Sequence, residues 1–271
     1  MSSVMKTLIF KELRERRTSL IVYSLVGIGC VWLYVSIFPS LQGQAKELSK
    51  AYASMPKEVL KAFGAEGTGL DTVESLLATK QFGLVWPILA IVIMLNRSAN
   101  YIAGEIENGT LGTLLTQPLS RSKIYLAKYL SGVYTLLIFV ACSVLVNIPI
   151  ISLYKLEFSV GYELLFAAIC TLFGLAILGA GMFVSALSAE RSKVYGLIGG
   201  GIMIMFILNL LSGLKPALEN LKYGSIFYYY NANDMIVNHH INHVSAVLFA
   251  VIAVFGFLAG LIAFNRRDIR I

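Results

Sequence analysis

Two clusters in this chain have residue types and spacing that could do chemistry. The first is His239-His240-Ile241-Asn242-His243, which holds all three histidines. His239 and His243 stand four apart, so on a helix they would share one face and could hold zinc or copper, with Asp234 close in sequence. This is half of a zincin motif. The position of the general-base glutamate is taken by His240, so metalloprotease chemistry is poorly supported. The plainer reading is a polar helix start at a membrane boundary.

The second cluster runs from Glu105 to Arg121. Glu105 and Glu107 leave an apolar run, Gly109 permits a turn, and Thr110 can cap a helix N-terminus. Leu111, Leu114 and Leu115 then share a face at i, i+3, i+4, and Pro118 stops the helix. Arg121 and Lys123 begin the next apolar run. A short amphipathic helix follows, either resting on lipid or presenting a knob to a soluble partner. A third feature is the aromatic run Phe227, Tyr228, Tyr229 and Tyr230, beside Asn231 and Asn233. Anchoring at the membrane interface is the ordinary role of such residues; a gate over an exit path is the alternative.

The elements that must position these clusters are set by composition. Of 271 residues, 57% are hydrophobic and 14% charged, against about 25% charged in a soluble domain. The mean hydropathy is +0.75. The expected solvent is therefore a bilayer, and a backbone in hydrocarbon must bond within helices or a closed barrel. Long continuous apolar runs, rather than alternating ten-residue segments, select helices. Runs of about 20 apolar residues predict six spans: Leu20 to Phe38, ending at Pro39; Gln81 to Gly104; Ile124 to Ile151; Tyr162 to Leu187; Val194 to Leu214; and Val244 to Phe264. The first run is long for a signal peptide and no small-residue cleavage site follows it, so no cleaved leader is expected. Cys30, Cys142 and Cys170 all lie in apolar runs and read as packing residues.

With a cytoplasmic N-terminus, the inner segments carry 14 of the 22 basic residues and a net charge of +8, against −1 outside. Both termini are therefore expected in the cytoplasm. This asymmetry accounts for the basic balance, so no nucleic-acid partner is implied. The outer segments are 40–80, with charges such as Lys46, Glu47, Lys57 and Lys61 spaced as on amphipathic helices; 152–161; and 215–243. The only inner loop of any size is 105–123.

Span centres lack ionisable residues. Lys128 and Glu163 sit near span ends, where their side chains are expected to reach water. Arg97 is expected to snorkel to the inner interface, the alternative being an ion pair with Glu105 or Glu107. Ion-coupled carriers keep charges at mid-membrane, so a chain without them is expected to be powered from outside itself. Gly181 with Ser185, Gly196 with Gly200, and Gly256 with Gly260 allow close helix approach, within one bundle or at a dimer seam.

The pattern Glu-x-Glu-x-Gly-Thr-Leu-x-x-Leu-Leu-x-x-Pro-x-Ser-Arg after the second of six spans resembles the permeases of type-2 ATP-binding-cassette (ABC) exporters. A basic amphipathic stretch, Lys6 to Arg17, stands where that family has an interfacial elbow helix. Phe264-Asn265-Arg266-Arg267-Asp268-Ile269 is similar to the family's tail. The resemblance implies an all-α membrane protein: one permease domain over 1–271, with six transmembrane helices, cytoplasmic termini, an elbow helix within 1–19 bearing Lys11, Arg14, Arg16 and Arg17, and a coupling helix in 105–123. It implies that Glu105, Glu107, Gly109, Thr110, Leu111, Leu114, Leu115, Pro118 and Arg121 contact a separate ABC ATPase. Two ATPase copies, carrying ATP and Mg, would work with this permease and a second one, identical or related. The chain itself would be non-catalytic and hold no cofactor. Its lack of a G-x-x-x-x-G-K-[ST] phosphate loop agrees. The setting implied is a bacterial or archaeal cell membrane. Apolar and small span residues suit a hydrophobic or amphipathic cargo such as a drug, antibiotic, lipid or peptide. The competing readings are a membrane-embedded metal-dependent enzyme using the histidines and a secondary transporter with inverted repeats.

Overall fold

A computed structural model describes residues 3–42, 72–116, 119–156, 159–214, 216–240 and 242–267. The charged helices expected in 43–71, and Pro118 and Asp268, lie outside them. Every regular element among the described residues is helical. Six helices are long and apolar enough to cross a membrane: Arg17–Ser40, Val73–Tyr101, Arg121–Leu153, Val160–Leu187, Arg191–Leu214 and His243–Arg266. All six predicted runs fall on these helices, with shifted ends. The second begins eight residues early, at Val73, because the Thr72 hydroxyl accepts from the Ser75 N–H at 3.1 Å and caps it. The first helix continues past Pro39 to Gln42. A proline deletes one backbone bond, and near a helix end that loss need not stop the chain's winding.

The chain alternates between two ends of the bundle. One end gathers the N-terminal helix Ser3–Glu15, the loop between the second and third spans, the turn between the fourth and fifth, and residues 265–267. We call it the termini end. At the opposite end lie the 3-10 segment Pro216–Gly224 and the short helices Ile226–Tyr229 and Ala232–Ile236.

The fourth span is the hub. It is the most buried of the six, at 61% of its apolar window, and small residues let its neighbours come close. A Cβ added to Gly256 of the sixth span would sit 2.4 Å from the Gly179 carbonyl carbon of the fourth. One added to Gly181 would collide with the Ser98 hydroxyl of the second span, and one at Gly174 with Leu136 of the third. In a bilayer, close packing replaces the hydrophobic drive between helices, so these contacts set the bundle. Gly256 and Gly260 are thus spent within the chain. Gly196 and Gly200 are not: a Cβ at either meets nothing within 4 Å. Their fifth span is only 6% buried, and the first 17%.

Aromatic packing completes the core. Trp86 of the second span stacks on Phe139 of the third and on Tyr230, with ring centroids 5.8 Å apart in both cases. Its indole N–H donates to the Ser143 hydroxyl at 2.8 Å. Tyr230 also packs on Phe173 of the fourth span at 4.7 Å, and Phe173 meets Phe249 of the sixth edge-on. Wide π-type turns interrupt the second span at Leu77–Val85, the third at Ala141–Leu145 and the fifth at Tyr195–Gly199. In the second, the Trp86 N–H bonds five residues back, to the Gln81 carbonyl, immediately before Pro87, which has no N–H to give.

Gly256→Val is expected to prise the fourth and sixth spans apart at a cost of about 1–3 kcal/mol, the usual penalty of overpacking. Gly29→Val, where a Cβ meets nothing within 4 Å, is expected to be silent. Thermal midpoints of the two variants in the same detergent check the contrast; equal midpoints would remove the fourth–sixth contact from its place in the bundle.

Candidate functional site at the termini end

The second span ends at Tyr101. The chain bends at Ile102 and winds one further short helix, Ala103–Glu107. The bend is pinned because the Ala103 N–H, left without a helical partner, donates to the Ser185 hydroxyl of the fourth span at 2.9 Å. Gly109 then takes φ +70, a left-handed turn that only glycine adopts without strain. The next helix, Leu111–Leu115, starts at Thr110 as expected. The Thr110 side chain does not cap it; its hydroxyl bonds back to the Glu105 carboxylate instead.

The apolar face of this loop helix is turned inward. Leu111 is buried, and Leu114 and Leu115 are half-buried against the bundle core. Leu114 also meets a second cluster made by Met5, Leu8 and Ile9 of the N-terminal helix and Ala127 of the third span. Of the stripe, Leu114 packs on this chain's own N-terminal helix, while Leu111 and Leu115 pack on the bundle core. The faces left open carry Asn108, Gly109, Thr110, Thr113 and Thr116. A crevice of about 390 Å³ separates the two helices, lined in part by Lys11, Glu15, Arg16, Asn108 and Thr113.

The charged residues here form two ties. In the first, the Lys128 ammonium of the third span lies 2.7 Å from Glu12 Oε1 of the N-terminal helix and 2.9 Å from Glu105 Oε1. Its side chain is 1% exposed and the Tyr101 ring lies 5.8 Å away. This corrects the expectation that Lys128 reaches water. A buried ammonium needs counter-charges, and two carboxylates from separate elements supply them. In the second tie, Arg191, at the head of the fifth span, grips Glu107. Its backbone N–H donates to Oε2 at 2.8 Å, and its guanidinium reaches Oε2 and Oε1 at 3.2 Å each. The same guanidinium donates to Asn100 and Asn108, both at 3.2 Å.

Both glutamates are held below the ordinary carboxylate range. Burial works to raise Glu105, but Lys128 and the Thr110 hydroxyl outweigh it. Glu107 is lowered by the bonds from the Arg191 side chain and backbone. The expectation that Arg97 reaches water or pairs with one of these glutamates is corrected with them. Lys128 and Arg191 hold both carboxylates, while Arg97 is 3% exposed and its Nη2 has no bond. Glu163, also expected to reach water, is buried against Asn147 at 2.7 Å. Packed neighbouring spans close over both.

Further ties reach the C-terminal segment. Arg121 donates to the Arg267 carbonyl at 2.6 Å, and Arg267 donates to the Ala186 and Ser188 carbonyls at 2.8 Å. On the N-terminal helix Lys11 and Arg14 are exposed, Arg16 stands between that helix and the first span, and Arg17, also exposed, opens that span. Sequence reading passed over Glu12, Lys128 and Arg191 as site residues. The available signal was Lys128 itself, a charge seven residues inside the span that begins at Arg121.

The other two clusters are dispersed. His239 has φ +53 in a turn and stacks on Tyr162 at 4.0 Å. Asn242 caps the helix that begins at His243, so the two histidines do not share a helix face as their spacing predicted. No group of three metal-ligating side chains occurs among the described residues. In the aromatic run, Tyr230 is buried in the core, whereas Phe227 packs on Phe206 at 5.4 Å and Tyr228 and Tyr229 meet edge-on.

Lys128→Met is expected to leave the buried Glu12 and the partly buried Glu105 without their cation, at a cost of about 3–5 kcal/mol. Glu12→Gln combined with it should cost less than the sum of the two single changes. A double-mutant cycle on thermal midpoints checks this, and additivity would refute the pairing. Because Glu105 titrates below its ordinary value of 4.5, its contribution is complete above that pH and is lost as pH falls through the lower folded value. Glu105→Gln should therefore flatten the drop in midpoint as pH falls below 4.5.

A search of curated proteins finds no match. The family model described as "ABC-2 family transporter protein" matches residues 7–269. That span takes in most of the N-terminal helix, both ties and all six membrane-capable helices, and this multi-pass membrane chain belongs to the ABC-2 transporter family, as a permease subunit.

Proposed function

We propose that this chain is the transmembrane half of an exporter, driven by ATP hydrolysis on a separate ABC ATPase that binds ATP and Mg. The observation that carries the reading is the open polar face of the loop helix, within a chain of this family. Asn108, Gly109, Thr110, Thr113 and Thr116 project from the termini end, and this surface is the one offered to the ATPase. Leu111 and Leu115 act one step behind it, seating the loop helix on the bundle core, and Leu114 seats it on the N-terminal helix and the third span. The excess of basic residues at this end supports its cytoplasmic placement. There Lys11, Arg14 and Arg17 meet the anionic membrane surface.

The working unit contains two permeases. The fifth span supports this: it is nearly unburied, and Gly196, Gly200 and Gly201 stand open where a second helix could approach. The cargo is hydrophobic or amphipathic, in keeping with the apolar and small residues of the spans. The path opens where the two permeases meet, with Phe227, Tyr228 and Tyr229 near its outer end and Tyr230 as their anchor in the core.

Co-expression with candidate ABC ATPases, followed by purification through the permease, tests the assembly. Thr113→Arg is expected to cut recovery of the ATPase at least tenfold, about 1.4 kcal/mol of binding, while leaving the thermal midpoint of the permease unchanged. Undiminished recovery would refute docking on this face. Gly200→Trp is expected to convert a permease pair to single copies in size-exclusion and light-scattering measurements.

A further inference from the structure

The E-x-E motif occupies the docking loop, yet neither glutamate is free to serve a partner. Glu105 Oε1 faces inward to Lys128, and Oε2 is taken by the Thr110 hydroxyl across the turn. Both oxygens of Glu107 are taken by Arg191, and the Arg191 backbone N–H joins them. A carboxylate with both oxygens engaged, one by a cation, gains less from a further donor than a free one does.

The two glutamates lead to different parts of the molecule. From Glu105 the path runs through the buried Lys128 ammonium to Glu12, linking the loop to the third span and the N-terminal helix. From Glu107 it runs to Arg191, the first residue of the fifth span, which follows the hub span after a turn of three residues. The branches also differ in setting. Lys128 is sealed, with its side chain 1% exposed, whereas Arg191 and Glu107 are 33% and 39% exposed. A buried ammonium shared by two carboxylates, one buried and one 21% exposed, resists opening, while a half-exposed pair can part and re-form at small net cost.

We propose that Glu105 and Glu107 are positioning residues that carry displacement of the docking turn into the bundle, and that they are not contacts with the ATPase. Glu105 is the fixed branch, making the loop, the third span and the N-terminal helix move as one body. Glu107 is the releasable branch, a latch between that body and the fifth span. When the turn is pushed, the latch decides whether the fifth span follows. This proposal rests on the docking reading above.

The test uses the complex of this permease with the ATPase that co-purifies with the unmodified chain, in lipid nanodiscs. Glu107→Gln is expected to retain ATPase recovery within twofold while permease-dependent stimulation of ATP hydrolysis falls at least fivefold. The charge swap Glu107→Arg with Arg191→Glu is expected to restore at least half of the stimulation. Loss of recovery with Glu107→Gln to the level of Thr113→Arg would make Glu107 a contact and overturn the proposal. Unchanged stimulation would overturn it as well. Hydrogen exchange on the purified permease alone supplies a readout that needs no partner. Glu107→Gln should raise exchange at residues 190–194 and spare residues 5–15, and Glu105→Gln should do the reverse. Equal effects of both variants on both segments would overturn the two branches. If the unmodified chain recovers no ATPase, the docking reading falls, and the exchange pattern still decides whether the branches exist.

Discussion

A lysine ammonium cannot remain in a packed helical bundle without counter-charge, and Lys128 finds two. Glu12 comes from the helix before the first span and Glu105 from the loop after the second. Removing either carboxylate leaves the ammonium half-compensated, so the three groups hold one another in place. The consequences extend well beyond the ion pair. The N-terminal helix is drawn against the third span, where Met5, Leu8 and Ile9 pack on Ala127, and that packing gives Leu114 of the loop helix an apolar seat. The inward turn of Leu114, and with it the outward turn of Thr113, follows from this arrangement.

The rest of the bundle obeys a different constraint. Its helices have no hydrophobic drive toward one another in lipid, so contact distance decides what packs. The fourth span wins neighbours on three sides because Gly174, Gly179 and Gly181 remove side chains where the third, sixth and second spans approach. The first and fifth spans make few such contacts. A permease assembled this way has a rigid centre and two weakly held flanks. One flank is tied to that centre by the Glu107–Arg191 pair at its end.

The same residues explain why charge in this protein is confined as it is. Arg97 and Glu163 are buried within the described core, yet each lies within a few turns of a span end. Their positions leave the middle of the bundle to Trp86, Phe139, Phe173 and Tyr230, whose packing joins four spans to the short helices of the opposite end. The apolar middle separates Glu163, at the opposite end, from the two charged ties of the termini end.

Six spans, their order, and the turn at Gly109 were legible in the chain itself. Bilayer thickness and the backbone's need for internal hydrogen bonds act on local stretches of about 20 residues, and a positive φ is a property of one residue. The loop motif was legible too, since it is contiguous. What tertiary structure alone decided was the use of each side chain. Lys128 and Glu163 looked like residues near water, and only neighbouring spans made them buried. The Leu111–Leu115 stripe looked like a face for lipid or a partner; in the fold Leu111 and Leu115 pack on the bundle core and Leu114 also meets the N-terminal helix. His239 and His243 looked like a pair, and a cap at Asn242 put them on different elements. Amphipathicity tells that a face needs covering and charge tells that a group needs a partner. Which face or partner answers depends on packing between segments far apart in sequence, and no local pattern encodes that.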